Sequence, residues 1–178
     1  MKKQTLNKKN NEFEKIINEL IINNTVQEMK NFTQHFGTTR FDHCYSVAYY
    51  SYSICKKLHL DYKSATRAGM LHDLFLYDWR DANSHFRFHA LQHGKTACEN
   101  ACSLFNLSKK EQDMITRHMW PVTLAFPTSI EGFILTFIDK YCAIGESWQA
   151  LKTLAYSKKS FQYAYLLLGL IIFNMKQV

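Results

Sequence analysis

Ala65-Thr66-Arg67-Ala68-Gly69-Met70-Leu71-His72-Asp73 is the stretch that decides how this chain folds. Its small and apolar residues read as a buried helix, because small side chains let neighbouring helices approach closely. The helix closes on an imidazole and a carboxylate side by side. A carboxylate facing an apolar interior costs several kcal/mol unless it is paired or bound to a cation. The question is then whether other His and Asp residues meet it, and four candidates stand at wide spacing: His43 upstream, and His93, His118 and Asp139 downstream.

Helical periodicity surrounds each of them. Asp61 is placed to cap the helix that ends in His72-Asp73. Upstream, a helix over 41–59 carries His43 at the head of an apolar face with Val47, Tyr50, Ile54 and Leu58, and Thr39 or Asp42 is its cap. Before the break at 37–40, Phe13, Ile16, Ile17, Leu20, Ile21 and Val26 predict one amphipathic helix over 11–32 that packs as a lid or brace on the body. Downstream, 75–90 reads as an irregular crossing that holds His85, Arg87 and His89. A helix from His93 to about 105 aligns His93 with Ala97, Ala101 and Leu104. Ser108 and Glu111 form a capping box for a helix ending at His118, where Pro121 prevents continuation. A last helix, about 129–146, carries Asp139 beside Leu135, Thr136 and Ala143. Residues 148–178 read as a helical tail. Its apolar run, Tyr163 to Phe173, is too short for the roughly 20 residues of a membrane span. It reads as a core or dimer-contact helix.

One buried histidine is ordinarily a hydrogen-bonded core residue. Five metal-competent positions on successive helix ends and starts predict a shared metal site instead. Composition agrees with a folded helical chain: of 178 residues, 47% are hydrophobic, while 6 Gly and 2 Pro are too few for a turn-rich β protein. Five cysteines without a CxxC pair, and no secretory signal pattern, predict free thiols in the cytoplasm. Cys98 and Cys102, four apart, read as small core residues. The net charge is +7. Lys2, Lys3, Lys8 and Lys9 supply four of those charges and read as a basic flexible tail over 1–10, with 11–178 as a single helical domain. A nucleic-acid role rests on that tail alone and is disfavoured. There is no P-loop, dinucleotide fingerprint or nucleophile elbow.

The order His43, His72-Asp73, His93, His118, Asp139 resembles the HD superfamily of metal-dependent phosphohydrolases over residues 38–146. The stretches His118-Met119-Trp120-Pro121 and Ile138-Asp139-Lys140-Tyr141-Cys142 resemble a bacterial subgroup of HD-domain proteins. The resemblance implies an all-α helical bundle with additional N- and C-terminal helices. It also implies that His43, His72, Asp73 and Asp139 hold one metal ion. His93 and His118 match the subset that holds two, with Asp73 bridging.

The residue types fit that chemistry. Imidazoles and carboxylates suit Mn, Fe, Co, Ni, Zn or Mg, and such ions lower the pKa of water and neutralise phosphate charge. The expected activity is hydrolysis of a phosphoester in a nucleotide or related small phosphate compound, with His72 and Asp73 as the catalytic pair. Lys140, Arg40 and His89 are candidates for holding substrate, and Arg67 and Lys95 are weaker ones. Trp79, Trp120 and Phe126 are available to stack on a base. Two other classes share the pattern: an HD-fold di-iron oxygenase, and a non-catalytic nucleotide-sensing module. The oligomeric state is open in the sequence, and the apolar C-terminal run is compatible with a homodimer.

Overall fold

The computed structural model describes residues 2–35, 37–78, 89–155 and 163. Among them are seven α-helices and one two-stranded ribbon. In chain order these are α1 (Lys2–Ile21), α2 (Asn24–Glu28), a 3-10 turn (Met29–Asn31), β1 (Thr33–His35), β2 (Thr38–Thr39), α3 (Arg40–Lys57), α4 (Tyr62–Leu71), α5 (His89–Leu104), α6 (Lys109–Arg117) and α7 (Ile130–Ala155). The protein is all-α in class, as the sequence predicts. No helix of the described residues is long and apolar enough to cross a membrane.

The small-residue helix is central. Ala65, Ala68, Gly69, Met70 and Leu71 of α4 are buried. A Cβ on Gly69 would stand 2.8 Å from Ala48 Cα, so α3 and α4 touch backbone to backbone there. Gly94 does the same for α5 and α6, where a Cβ would meet the Thr116 carbonyl oxygen at 2.8 Å. The first approach fixes α4 against the middle of α3, and the second fixes the start of α5 against the end of α6.

Capping follows local chemistry. Thr39 Oγ1 accepts the Asp42 N–H at 3.1 Å, and Asp61 Oδ1 accepts that of Ser64 at 3.1 Å. Ser108 and Glu111 form the reciprocal capping box.

Four boundaries differ from the sequence reading. The expected helix over 11–32 breaks after Ile21, because Asn23 turns its side chain onto the backbone N–H groups of Thr25 and Val26 and starts α2. The break expected at 37–40 is part of an antiparallel ribbon pairing Thr33 with Thr39. α5 begins at His89 rather than His93, and α7 continues to Ala155. The apolar face given to α3 is also only half right: His43 and Val47 are buried, but Tyr50, Ile54 and Leu58 are 42%, 36% and 55% exposed. The buried side of α3 is centred on Cys44, Ser51 and Cys55, which leaves His43 at its edge, turned toward α7. Leu104, placed on the inner face of α5, is likewise 38% exposed.

The brace role of α1 matches its contacts. Phe13, Ile17 and Leu20 are buried, and Phe13 packs edge-on against Tyr45 and Tyr49. Glu12 gathers Tyr52, Lys56 and Tyr62, tying α1 to α3 and α4.

Candidate metal centre

His43 enters from the first turn of α3, His72 and Asp73 from the end of α4, and His93 from the first turns of α5. His118 follows the last turn of α6, and Asp139 lies in the middle of α7. All four imidazoles and Asp73 are buried, at 5% exposure or less.

The six side chains meet. His43 Nε2 lies 3.0 Å from Asp139 Oδ1, and His72 Nε2 lies 3.5 Å from the same oxygen and 3.7 Å from Asp73 Oδ2. On the other side of Asp73, Oδ1 lies 3.3 Å from His93 Nε2 and 3.6 Å from His118 Nε2. Those two nitrogens are 2.9 Å apart. Three sets have ligand atoms within 4.8 Å of one another: His43, His72 and Asp73; His72, His118 and Asp139; and Asp73, His93 and His118.

Main-chain carbonyls select the tautomers. His72 Nδ1–H donates to the Gly69 carbonyl at 2.8 Å, and His118 Nδ1–H donates to that of Ile115 at 2.7 Å. Each Nε2 therefore faces the centre. Outer hydrogen bonds that fix ring orientation in this way are the usual support of a metal-ligating histidine.

The donor set fits a divalent cation by its unmet bonding as well as by its chemistry. Among the described residues, His72 Nε2 and Asp73 Oδ1 have no hydrogen-bond partner, though both are buried. Such orphaned atoms cost about 1–3 kcal/mol each unless something occupies the space between them. The electrostatics carry the same demand. Burial opposes charge on both carboxylates, yet the imidazoles hold Asp73 and Asp139 far below the usual range. Burial also opposes charge on His43, but Asp139 and Glu146 outweigh it and raise its pKa to about 10. At His118 burial wins, helped by the neighbouring His72, and its pKa falls to about 3. Two buried carboxylates thus pull positive charge inward, and imidazole with carboxylate oxygen is the set that borderline and hard divalent ions take.

Two polar residues that the sequence reading did not single out complete the centre. Glu146, seven residues and two helical turns beyond Asp139 on α7, sets its oxygens 3.0 and 3.1 Å from His43 Nδ1. Gln34 of β1 donates Nε2–H to Asp73 Oδ2 at 2.5 Å.

The residues proposed to hold substrate divide. Lys140 sits at the rim, one-third exposed and 3.8 Å from Asp139 Oδ2, its Nζ donating to the carbonyl of His118 at 3.1 Å. Arg40 is a correction. It is fully buried, donating to Gln34 Oε1 at 2.9 Å and to the carbonyls of Phe75 and Tyr77 at 2.5 and 3.2 Å. Its guanidinium carbon lies 3.6 Å from the Phe75 ring centroid. Arg40 is a structural clamp that holds Gln34 against Asp73, and its guanidinium donors go to protein oxygens. Arg67 is tied to Glu111 at 2.7 Å and to Glu19, while Lys95 is exposed and paired with Glu99. The side chain of His89, and residues Trp79, His85 and Arg87, lie outside the described residues, as does nearly all of the Tyr163–Phe173 run. Trp120 packs on Phe133 and Phe137, and Phe126 is exposed.

Comparisons with known proteins return one finding. A family model described as HD domain matches residues 40–144, a span that starts at Arg40 and ends just beyond Asp139. No curated protein and no solved structure matches the chain. The family is broadly one of metal-dependent phosphohydrolases, and its span encloses all six converging side chains; the chain belongs to the HD domain family.

Proposed function

We propose that the protein hydrolyses a phosphoester bond of a nucleotide or related small phosphate compound. His43, His72, Asp73 and Asp139 would hold one divalent ion, and Asp73, His93 and His118 a second. The observation that carries this reading is the pair of buried ligand atoms, His72 Nε2 and Asp73 Oδ1, that no hydrogen bond satisfies at the centre of the cluster. Divalent ions held there supply the charge that makes a water nucleophilic near neutral pH and offsets the charge of the phosphate.

The chain itself supplies position and electrostatics. Asp73, fixed by Gln34, stays ionised and accepts a hydrogen bond from the attacking water, setting its oxygen toward phosphorus. His72, locked by Gly69, keeps Nε2 facing the centre. Lys140 at the rim meets a phosphate oxygen; its ammonium is partly desolvated, which lowers its pKa and strengthens the contact. The new P–O bond forms to the water oxygen as the ester P–O bond breaks; the water's proton passes to solvent and the departing oxygen takes one from solvent. No side-chain nucleophile is needed, because phosphoryl transfer depends mainly on positioning and charge stabilisation.

The test is turnover of a panel of nucleotides, dinucleotides and generic phosphodiesters by the purified chain with Mn or Co. Elemental analysis and oxygen uptake are measured in parallel. Metal-stimulated hydrolysis of any of these phosphoesters supports the reading. Iron in pairs with oxygen consumption and no phosphoester hydrolysis would replace it with oxidative chemistry. Tight nucleotide binding without turnover would replace it with a sensing role.

A further inference from the structure

The side of α7 that faces away from Asp139 is largely exposed among the described residues, touched only at its margins by Trp120 on Phe137 and Tyr50 on Tyr141. Ile130, Phe137, Tyr141, Ile144, Trp148 and Leu151 are 63%, 59%, 65%, 70%, 60% and 54% exposed. From Phe137 onward they recur at alternating four- and three-residue intervals, the spacing of a helix seam that packs against another helix. Ile134 fills the remaining step of the repeat and is already half-turned into the core. The stripe extends along about 30 Å of helix at 1.5 Å per residue, and none of its six side chains carries a charge. Scattered apolar residues on a surface are ordinary, whereas a continuous row of this size marks an interface.

We infer that α7 pairs with α7 of a second copy of this chain. A seam of one regular spacing is complementary to itself across a two-fold axis, where the same surface is used twice. Area points the same way. With whole aromatic side chains at about 150–250 Å², the exposed portions of the six come to about 700 Å². That is close to the roughly 800 Å² that each partner contributes to a standard stable interface. A partner chosen by charge would find no complementary charge in the row. The inference does not depend on the metal centre, because the inner face of α7 (Leu135, Thr136, Asp139, Glu146) serves the site and the outer face serves the pairing.

The experiment is light scattering on the full chain over roughly 1 to 100 µM, the range in which interfaces of this area begin to associate. The expected mass is twice 21.0 kDa. Ile144→Glu and Trp148→Glu should each weaken association by at least about 30-fold, as central interface positions do, with helix content and metal content unchanged. Leu58→Glu, exposed at the end of α3, should leave the dimer intact. If either stripe variant loses helix content, hydrogen exchange of the unaltered chain decides instead: protection over 137–151 should rise with concentration, and equal protection would refute the pairing. A 21.0 kDa species at every concentration overturns the inference. So does a dimer indifferent to both stripe variants, or one lost only in Leu58→Glu. A monomer that sediments with phosphatidylglycerol vesicles also overturns it, in favour of a lipid surface. Metal binding that fails while the dimer stands would count against the proposed function and leave this inference untouched.

Discussion

Glu146 holds His43 by its outer nitrogen, with carboxylate oxygens 3.0 and 3.1 Å from Nδ1. With Nδ1–H donated outward, Nε2 faces Asp139 Oδ1 at 3.0 Å. Two acceptors in line on one ring stabilise either an imidazolium or a cation shared between Nε2 and the Asp139 oxygen. Removing the outer carboxylate weakens both. Glu146→Gln keeps the shape and lowers the charge, so Mn affinity measured by calorimetry should fall about 10- to 100-fold, the usual cost of losing an outer partner. An unchanged affinity would mean that the ring is oriented by packing alone.

Arg40 and Gln34 make a second outer arm. The guanidinium steers the Gln34 amide so that its N–H reaches Asp73, and it also ties down the backbone at Phe75 and Tyr77. Arg40→Met would take a donor away from the buried Phe75 carbonyl, the half-buried Tyr77 carbonyl and the Gln34 oxygen. At about 1–3 kcal/mol per stranded group, urea denaturation should show a loss of at least about 3 kcal/mol. Gln34→Leu strands only one Asp73 oxygen and one face of Arg40, and should cost less.

The glycines separate packing from flexibility. At Gly69 the added Cβ of Gly69→Ala would meet backbone atoms of Ala48 at 2.8 and 3.0 Å, and backbone cannot swing aside as a flexible side chain can. Overpacking of this kind costs about 1–3 kcal/mol. At Gly145, also helical, nothing lies within 4 Å of the new Cβ. Gly145→Ala should therefore stabilise by about 0.5–1 kcal/mol through helix propensity and lost unfolded-state freedom. Opposite signs in one denaturation series are the expected result.

What the sequence made legible was set by how local each signal is. His72-Asp73 stands adjacent in the chain behind a helix of small residues, and the capping residues Thr39, Asp61 and Ser108 act within three positions of themselves. Glu146 shares an inner face with Asp139, so its spacing contained the signal, but as an acid at a helix end it reads equally well as solvated. Gln34 lies in a ribbon of two very short strands, too brief to show a period of two. Arg40 looked like a phosphate ligand because it is basic and near His43. Its partners are mostly carbonyl oxygens some 35 residues away, which no side-chain pattern encodes. Periodicity likewise found the apolar residues of α3 without showing that Tyr50, Ile54 and Leu58 lie outside the area that α4 and α7 cover.

Acid stability away from the centre should follow Glu131. Burial alone would raise its pKa, but Lys110 Nζ at 2.8 Å and the Asp61 N–H at 3.0 Å outweigh it and hold it below the ordinary 4.5. A carboxyl with a lowered folded-state pKa stabilises the fold fully above its unfolded value. That contribution is lost as pH falls from about 4.5 through the lower folded value. Glu131→Gln should therefore be less stable than the unaltered chain at pH 7. The gap should narrow below pH 4.5 in thermal melts, and parallel curves would show that Lys110 and Asp61 do not favour the ionised form.

Metal removal should be felt by the whole fold, because the six converging side chains come from α3, α4, α5, α6 and α7. A cation that binds only where they meet stabilises the folded state by mass action, about 2.7 kcal/mol at one hundred times its dissociation constant. Adding Mn to chelator-treated protein should raise the melting temperature with concentration, and a chelator should return it. Asp73→Ala tests the centre of that argument, since Asp73 has an oxygen on each side: Oδ2 toward His72 and Oδ1 toward His93 and His118. It should abolish the Mn-dependent shift and the bound metal together. A shift retained in Asp73→Ala would mean that the cation sits on His43 and Asp139 without the shared carboxylate, and the two-ion arrangement would have to be given up.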